Sequence, residues 1–207
     1  DLALIGSGTQ ARGQLRAAAA VREFETVRVY SPTVEHRESF AADFEDRLAA
    51  AVTPVETSTA AVAGADAVIT ATRASEPVVD ADDLDPGTHV TAMGQYHPEK
   101  RELDVETVGR ATYVPDLRER AFQDAGSFLA ALDAGRIDEN HVHAELGEVV
   151  AGGAPGRTTE GEITVFDSGG TAIETVAAAH LLYERAVEAD LGTEIEIDPA
   201  SEGMPGG

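Results

Sequence analysis

The chain has 207 residues, of which 38 are Asp or Glu and 15 are Lys or Arg, and its formal net charge is −23. Such an acidic chain lacks a basic face for phosphate contacts, which excludes nucleic acid as a partner and disfavours an anionic membrane surface. With no cysteine and 43% hydrophobic residues, the sequence predicts a folded chain without disulfides or thiolate metal sites.

Short apolar runs rich in β-branched residues alternate with helical patterns along the chain. We predict six buried strands, at residues 2–6, 26–31, 66–72, 88–94, 111–116 and 162–168. We predict helices after Thr9 and at residues 33–50, 121–132 and 171–189. This alternation predicts an α/β fold with a Rossmann-type, doubly wound parallel sheet, followed by a long C-terminal helix.

The same pattern divides the chain into three parts. Residues 1–168 are predicted to form a dinucleotide-binding Rossmann domain, in which the Gly-rich stretch 147–161 is a loop. Residues 169–190 carry the C-terminal helix, and residues 191–207 are predicted to be a flexible tail. The chain starts directly in an apolar strand, so we expect it to be a fragment of a longer protein.

The first predicted strand ends in a glycine turn of the form G-x-G-x-x-A, with Gly6, Gly8 and Ala11. Gly6 allows the tight turn, Gly8 lets the backbone approach a pyrophosphate, and Ala11 permits close packing of helix on strand. The start of the following helix offers free N–H groups to an anion. In this strand–turn–helix context the motif predicts a dinucleotide site.

The second predicted strand ends at Ser31, where an enzyme that uses NAD carries an acidic residue for the ribose 2′-hydroxyl. Without that carboxylate a 2′-phosphate is not repelled, and Ser31, Thr33, His36 and Arg37 offer hydroxyl and cationic contacts to it. The cofactor is therefore NADP or NAD, with NADP preferred. The alternative for Arg37 is an ordinary solvated helix residue.

Six stretches together carry a wider resemblance: IGSGTQARGQLRA, GADAVITATRASEPV, LDPGTHVTAMG, PEKRELD, HAELGEVVAGGAPGR and ITVFDSGGTAIETVAAA. They resemble the ornithine cyclodeaminase/mu-crystallin family, which includes archaeal alanine dehydrogenases and ketimine reductases. The resemblance implies an N-terminal domain with much of the substrate pocket and the dimer interface. We expect that domain to be missing here, the C-terminal helix to return to it, and the protein to be a homodimer through it.

The resemblance also implies which residues contact ligands. Gly169 corresponds to a position whose backbone contacts the substrate. The implied cofactor contacts are Thr9, Gln10, Ser31, Thr72, Met93, Gly94, Gln95, Tyr96, Lys100 and Ser168. Lys100 is the only lysine of the sequence. The near absence of lysine in a chain rich in Asp and Glu is typical of adaptation to high salt, so we expect a halophilic source.

One position departs from the family pattern. Cyclodeaminases carry an aspartate, the proposed acid–base group, where this chain has Tyr96. An unperturbed tyrosine, with a pKa of about 10, donates a proton but is a poor base. The neighbouring His97 offers an imidazole, the side chain most often used as a general acid or base. Tyr96 and His97 are therefore our candidates for proton handling, and ornithine cyclisation is disfavoured relative to hydride transfer at a C–N bond.

The resulting expectation is an NAD(P)-dependent oxidoreductase acting on a small amino acid or imine, similar to alanine dehydrogenase or imine reductase. Ornithine cyclodeaminase, with ammonia release, and a non-catalytic nucleotide-binding sensor module remain alternatives. We expect a cytoplasmic protein, because no apolar run is long enough to span a bilayer.

Other candidate sites carry less weight. The pentapeptide FDSGG, residues 166–170, matches the nucleophile motif of a serine protease family but lacks a matching histidine context. His141, His143 and Glu145 alternate as metal ligands can on a strand, yet no fourth ligand is visible, so we predict no metal. Glu102 is expected either to pair with an arginine such as Arg101 or to lie in a solvated turn. Arg157 is expected either to gate the crevice or to cap a loop.

Overall fold

The computed structural model describes residues 1–93 and 96–195, and its centre is a parallel sheet of seven strands in the order β3-β2-β1-β4-β5-β7-β6. The strands are β1 (Leu2–Ile5), β2 (Thr26–Tyr30), β3 (Ala51–Pro54), β4 (Ala67–Thr70), β5 (His89–Ala92), β6 (Thr112–Pro115) and β7 (Thr164–Asp167). The chain moves outward from β1 to β3 and then returns to the other side of β1 with β4. This reversal confirms the predicted doubly wound sheet, and it places a crevice where β1 and β4 end.

Helices connect these strands, and one further helix follows the last strand. They are α1 (Thr9–Val21), α2 (Val34–Glu45), α3 (Ser58–Val62), α4 (Val105–Arg110), α5 (Arg118–Asp124), α6 (Gly126–Asp133), α7 (Leu146–Val150) and α8 (Ala172–Glu188), with a 3-10 turn at Ala81–Asp83. All four residues of β1 are buried. Successive side chains of β1 enter different hydrophobic clusters, Leu2 and Leu4 in one and Ala3 and Ile5 in the other. The sheet therefore has a packed core on each face, as the continuous apolar run of β1 predicts.

The seventh strand, β3, was not predicted. Its residues directly follow the helix predicted over 33–50 and were assigned to no element, whereas the observed helix, α2, ends at Glu45. Strand β3 is an edge strand whose residues alternate between exposed and half-buried, and it pairs with β2 only. Pro54 is tolerated because an edge strand can lack a donor on its open side.

The predicted helix over 121–132 is two helices in the structure, because the chain turns between them at Ala125. The predicted loop over 147–161 begins with the short helix α7, which a capping box between Glu145 and Glu148 starts. Both differences are short-range details and leave the sheet order unchanged.

Two compact units are distinguished, Asp1–Gly169 and the part that begins at Gly170. The described portion of the second unit consists mainly of α8, which starts with a capping box between Thr171 and Glu174. Among residues 1–93 and 96–195, the helices are too short or too polar to cross a membrane.

Candidate functional site

The glycine turn after β1 has no room for a side chain at its first glycine. Gly6 has φ +118°, and a Cβ built there would lie 2.4 Å from the carbonyl oxygen of Ala71, at the end of β4. The Gly6 N–H donates to the Tyr30 carbonyl at the end of β2, with an N···O distance of 2.8 Å. Gly6 thus joins the ends of three neighbouring strands, as the motif requires.

The second glycine opens onto free space. Gly8 is the N-cap residue of α1, and a Cβ built on it would meet no atom within 4 Å. No side chain caps α1, and its first turn carries no acidic residue. Ala11 is fully buried, so α1 packs closely on the sheet. The uncovered N–H groups and partial positive charge of this helix end fit a pyrophosphate group.

A crevice of about 1090 Å³ lies beside this turn, at the ends of β1, β2, β4 and β5. Eight of the predicted cofactor residues line it, namely Gly6, Gly8, Thr9, Gln10, Ser31, Thr33, Thr72 and Met93. Their positions in the chain span 88 residues, from 6 to 93, and the sheet order brings them together. Predicted contacts at Gly94 and Gln95 lie outside the described residues.

The end of β2 has no acidic side chain. Ser31 is buried, and Thr33 and His36 line the crevice beside it. The Arg37 guanidinium is directed to the backbone, where its Nη1 donates to the Ser31 carbonyl at 3.0 Å. Arg37 therefore fixes the turn that carries Ser31, and the exposed polar groups at this end of the crevice are hydroxyls and an imidazole.

Glu102 is a buried carboxylate at the end of β4, contrary to both expectations for it. Its side chain is 1% exposed and accepts hydrogen bonds from the Thr70 hydroxyl at 2.9 Å, the Thr72 N–H at 2.6 Å and the Thr72 hydroxyl at 2.6 Å. Arg101 instead pairs at the surface with Glu76. Because Thr72 lines the crevice, Glu102 orients the crevice wall from behind.

Tyr96 packs between an arginine and a glycine. The Arg120 guanidinium lies 4.9 Å from the centre of the Tyr96 ring, and a Cβ built on Gly169 would lie 2.1 Å from Cζ of the ring. The Tyr96 hydroxyl donates to the Asp167 carbonyl at 3.4 Å. Burial, followed by the negative charges of Asp167 and Asp116, raises the pKa of Tyr96 above its ordinary value. Tyr96 is therefore a neutral phenol that keeps its proton and donates a hydrogen bond.

Asp167, the last residue of β7, is a second buried carboxylate in this region. Its Oδ2 accepts a hydrogen bond from the Tyr113 hydroxyl on β6. Burial raises the pKa of Asp167 to about 7, with further upward contributions from Glu102 and Asp116 that the Tyr113 hydrogen bond opposes. The same burial and the charge of Asp167 raise the pKa of Tyr113. Asp167 therefore gains or loses a proton near neutral pH.

The loop after Tyr96 is held against the start of α6. A Cβ built on Gly126 would lie 1.9 Å from the Lys100 carbonyl and 2.7 Å from the His97 carbonyl. His97 is exposed, and its Nδ1 accepts the Glu99 N–H at 3.2 Å. Lys100 and His97 stand outside the set of described residues that line the crevice.

The remaining candidates have local structural partners. Ser168 donates its N–H to the Ala92 carbonyl at 2.8 Å, which fixes the end of β7 beside β5. His141 and His143 use Nε2 to hydrogen bond the backbone carbonyls of Val108 and Pro155. Arg157 donates to carbonyls at residues 160 and 162, so of its two expected roles the loop cap is the one observed.

The sequence interpretation missed Glu102 as a buried group and gave no role to Asp167 or Tyr113. The last two had only a weak signal, because both faces of TYVP and TVFD carry apolar residues, and the structure shows that the second and fourth residues of β6 and β7 are the buried ones. That alternation places Tyr113 and Asp167 on inward positions of their strands. Glu102 had no comparable signal, because its partners Thr70 and Thr72 lie 30 or more residues away.

Comparison with known proteins places this site in a family. The model of the ornithine cyclodeaminase/mu-crystallin family matches residues 1–190. An alanine dehydrogenase from Archaeoglobus fulgidus is 39% identical over 193 residues, which are 93% of this chain and 58% of that protein.

Two solved structures are also similar. The Δ1-pyrroline-2-carboxylate reductase of Thermococcus litoralis, in complex with NADH and L-proline, superposes with a TM-score of 0.91 at 39% identity, over 94% of this chain and 60% of that chain. An archaeal alanine dehydrogenase dimer with bound NAD has a TM-score of 0.88 at 36% identity, over 95% and 60% of the two chains. The present chain thus spans about 60% of the length of these two relatives.

Proposed function

Because the chain belongs to the ornithine cyclodeaminase/mu-crystallin family, we propose that it is the cofactor-binding part of an NAD(P)-dependent oxidoreductase. The reaction is hydride transfer at the C–N bond of a small amino acid or imine, as in alanine dehydrogenase or an imine reductase. The observation that carries the proposal is the glycine turn, where Gly6 and Gly8 open the uncapped start of α1 onto the crevice.

In this proposal the nicotinamide supplies the hydride chemistry, and the chain binds and orients it. The free N–H groups at the start of α1 hold the pyrophosphate, and Gly8 lets the backbone approach it. Thr72, fixed by Glu102, forms the wall on the β4 side. Gly169 contacts the substrate through its backbone in this proposal, as the family resemblance implies, and its lack of a side chain leaves the space that the Tyr96 ring fills.

Tyr96 and His97 are the proposed groups for proton handling. Tyr96 is a neutral hydrogen-bond donor, held by Arg120 on its face and by the Asp167 carbonyl at its hydroxyl. His97 is exposed and can exchange protons with water as a general acid–base group. A half-buried phenol with a raised pKa cannot replace the carboxylate that cyclodeaminases use as a base, which supports a dehydrogenase or reductase over ornithine cyclodeaminase.

We further propose that NADP is preferred over NAD. The support is the end of β2, where the crevice meets Ser31, Thr33 and His36 and no carboxylate. A carboxylate at this position would repel a 2′-phosphate, and hydroxyl groups can donate to it. Fluorescence titration with NADPH and NADH in high salt tests the preference, and tighter binding of NADH would contradict it.

The setting of the protein is also a proposal. A net charge of −23 with a single lysine supports a halophilic source. We propose a cytoplasmic location as well. The similar alanine dehydrogenase is a dimer, and we propose a homodimer here as well, with the rest of the substrate pocket in a domain that this chain does not include.

The decisive experiment uses the complete protein in high salt and follows NAD(P)H absorbance for the three reductive substrates and ammonia release for ornithine, whose cyclisation leaves the cofactor with no net oxidation or reduction. The substrates are pyruvate with ammonia, pyrroline-2-carboxylate, piperideine-2-carboxylate and ornithine. We expect turnover with at least one of the first three and none with ornithine. Cofactor binding without turnover of any substrate would favour a non-catalytic sensor, for which the replacement of the expected aspartate by Tyr96 is the specific support.

A further inference from the structure

The two halves of a dinucleotide must lie on opposite sides of the glycine turn. The adenosine ribose lies at the end of β2, beside Ser31, and the pyrophosphate lies at the start of α1. The nicotinamide half therefore extends towards the ends of β4 and β5, where Thr72 and Met93 form the crevice wall. This assignment of the two halves rests on the proposed function.

Two buried carboxylates stand behind the nicotinamide half of the crevice. Glu102 is 1% exposed and touches the wall directly through Thr72. Asp167 is 4% exposed at the end of β7, where it pairs with Ala92, the residue before the crevice-lining Met93. The two are close enough for the charge of Glu102 to act on Asp167. Both oxygens of Glu102 accept hydrogen bonds, as an ionised carboxylate does. The hydroxyl groups that donate hydrogen bonds to these two carboxylates belong to Thr70, Thr72 and Tyr113, and they carry no charge.

The nicotinamide ring carries a positive charge when oxidised and none when reduced. A buried negative charge attracts the oxidised ring more strongly than a surface charge does, because solvent screens it less, and it does not attract the neutral reduced ring in this way. We propose that Glu102 and Asp167 make the site bind the oxidised cofactor more tightly than the reduced one, and that protonation of Asp167 switches part of this preference off.

The pH dependence is set by the groups that face Asp167. Tyr113 of β6 donates to its carboxylate, Asp116 donates its N–H to the Asp167 carbonyl, and Glu102 approaches from the loop before α4. Tyr96, from the loop after β5, donates to the same carbonyl. The Tyr96 ring is flanked in turn by the charged pair Arg120 and Asp124.

These contacts determine the direction of the effect. The pKa of Asp167 is raised to about 7 by burial, so the side chain is neutral in mildly acidic solution and negative in mildly alkaline solution. The positively charged nicotinamide of NAD⁺ favours the ionised form of Asp167, whereas the neutral nicotinamide of NADH does not. The dissociation constant of NAD⁺ should therefore fall relative to that of NADH as pH rises through about 7. For charges about 10 Å apart at an effective dielectric constant of about 20, the ratio changes on the order of tenfold.

The experiment measures the dissociation constants of NAD⁺ and NADH between mildly acidic and mildly alkaline pH at constant ionic strength. Calorimetry reports NAD⁺ binding and fluorescence reports NADH binding, and the phosphorylated pair NADP⁺ and NADPH is measured in the same way. Asp167→Asn should remove the pH dependence of the ratio, because the Asn side chain still accepts from Tyr113 and cannot ionise. Glu76→Gln removes an exposed carboxylate and serves as the matched control, with a wild-type profile expected.

Two nearly isosteric variants should move the titration in opposite directions. Tyr113→Phe removes the hydrogen bond that lowers the pKa of Asp167, so the midpoint should move to higher pH. Glu102→Gln removes the charge that raises it, so the midpoint should move to lower pH. The Gln side chain can keep hydrogen bonds to Thr72, which separates the loss of charge from a loss of structure.

The outcomes distinguish this inference from the proposed function. Opposite midpoint shifts, with a flat profile in Asp167→Asn, would support it. Binding of both forms with a ratio that does not change with pH, or that changes equally in Asp167→Asn, would overturn it and leave the proposed function standing. Failure of the protein to bind any of the four nucleotides would overturn both.

Discussion

Gly169 and the ring of Tyr96 are in contact without an intervening side chain, since a methyl group at 169 would lie 2.1 Å from Cζ of Tyr96. We therefore expect Gly169→Ala to displace the Tyr96 ring from Arg120 and from the Asp167 carbonyl. Turnover by the complete enzyme should fall by at least tenfold, while the affinity for cofactor changes little, because the glycine turn lies elsewhere. Steady-state kinetics combined with cofactor titration would check this. Gly13→Ala, in an open position of α1, is the control.

Gly6 should tolerate no side chain. Gly6→Ala combines a φ of +118° with a contact of 2.4 Å to a backbone oxygen, so β1 and β4 must separate at the crevice. We expect loss of cofactor binding and a free energy of unfolding lower by about 2 kcal/mol or more. Chemical denaturation and NADH titration measure the two effects. Cofactor affinity equal to that of wild type would show that the turn does not hold the pyrophosphate.

Ser31→Asp should reverse the proposed cofactor preference. A carboxylate at the end of β2 repels a 2′-phosphate and accepts from a ribose hydroxyl. We expect NADPH affinity to fall by roughly tenfold or more and NADH affinity to hold or rise. Fluorescence titration of both cofactors gives the ratio. The same substitution at Ser58, at the start of α3 and away from the crevice-lining residues, should leave the ratio unchanged.

Asp167 should make stability depend on pH. Its pKa is raised in the folded protein, from 3.8 to about 7, so the folded state holds a proton that the unfolded state has released in this interval. The associated stability is present below about pH 4 and is lost as pH rises towards 7. Asp167→Asn cannot ionise and removes that loss. The free energy of unfolding of the variant minus that of wild type should therefore increase by up to about 4 kcal/mol between pH 4 and pH 8. Urea unfolding at a series of pH values measures it, and a constant difference would contradict the assignment.

Lys100 and Arg101 form a matched pair of neighbouring cations. Arg101 makes an exposed ion pair with Glu76 at 3.4 Å, which contributes little. If Lys100 reaches the cofactor as the family resemblance implies, Lys100→Ala should weaken cofactor binding several-fold and Arg101→Ala should not. Equal affinities of the two variants would exclude Lys100 from the cofactor site.

The features that the sequence predicted are those that depend on neighbours in the chain. The apolar run of β1, the glycines that come after it and the small Ala11 act within a dozen residues, and their local pattern is sufficient. The end of β2 was predictable for the same reason, because Ser31 directly follows its strand. These short-range signals place the crevice correctly.

The features that were missed depend on pairing between distant segments. Strand β3 has weak strand character and a proline, and its pairing with β2 decides its conformation. The position of β7 between β5 and β6 cannot be read from local patterns. The burial of Glu102 likewise requires Thr70 and Thr72 to arrive from another strand. Long-range contacts therefore account for the errors in both the fold and the site.

The insertion of β7 between β5 and β6 sets an order of assembly during synthesis. Strand β6 lies at the edge of the sheet and pairs with β7, whose residues come 52 positions after their partners in β6, as from Thr112 to Thr164. Until β7 leaves the ribosome, β6 has no strand to join, and Tyr113 lacks the carboxylate that its hydroxyl contacts. The crevice wall at Thr72 and Met93 can thus form early, whereas Tyr113 and Asp167 meet only when nearly the whole first unit has been made.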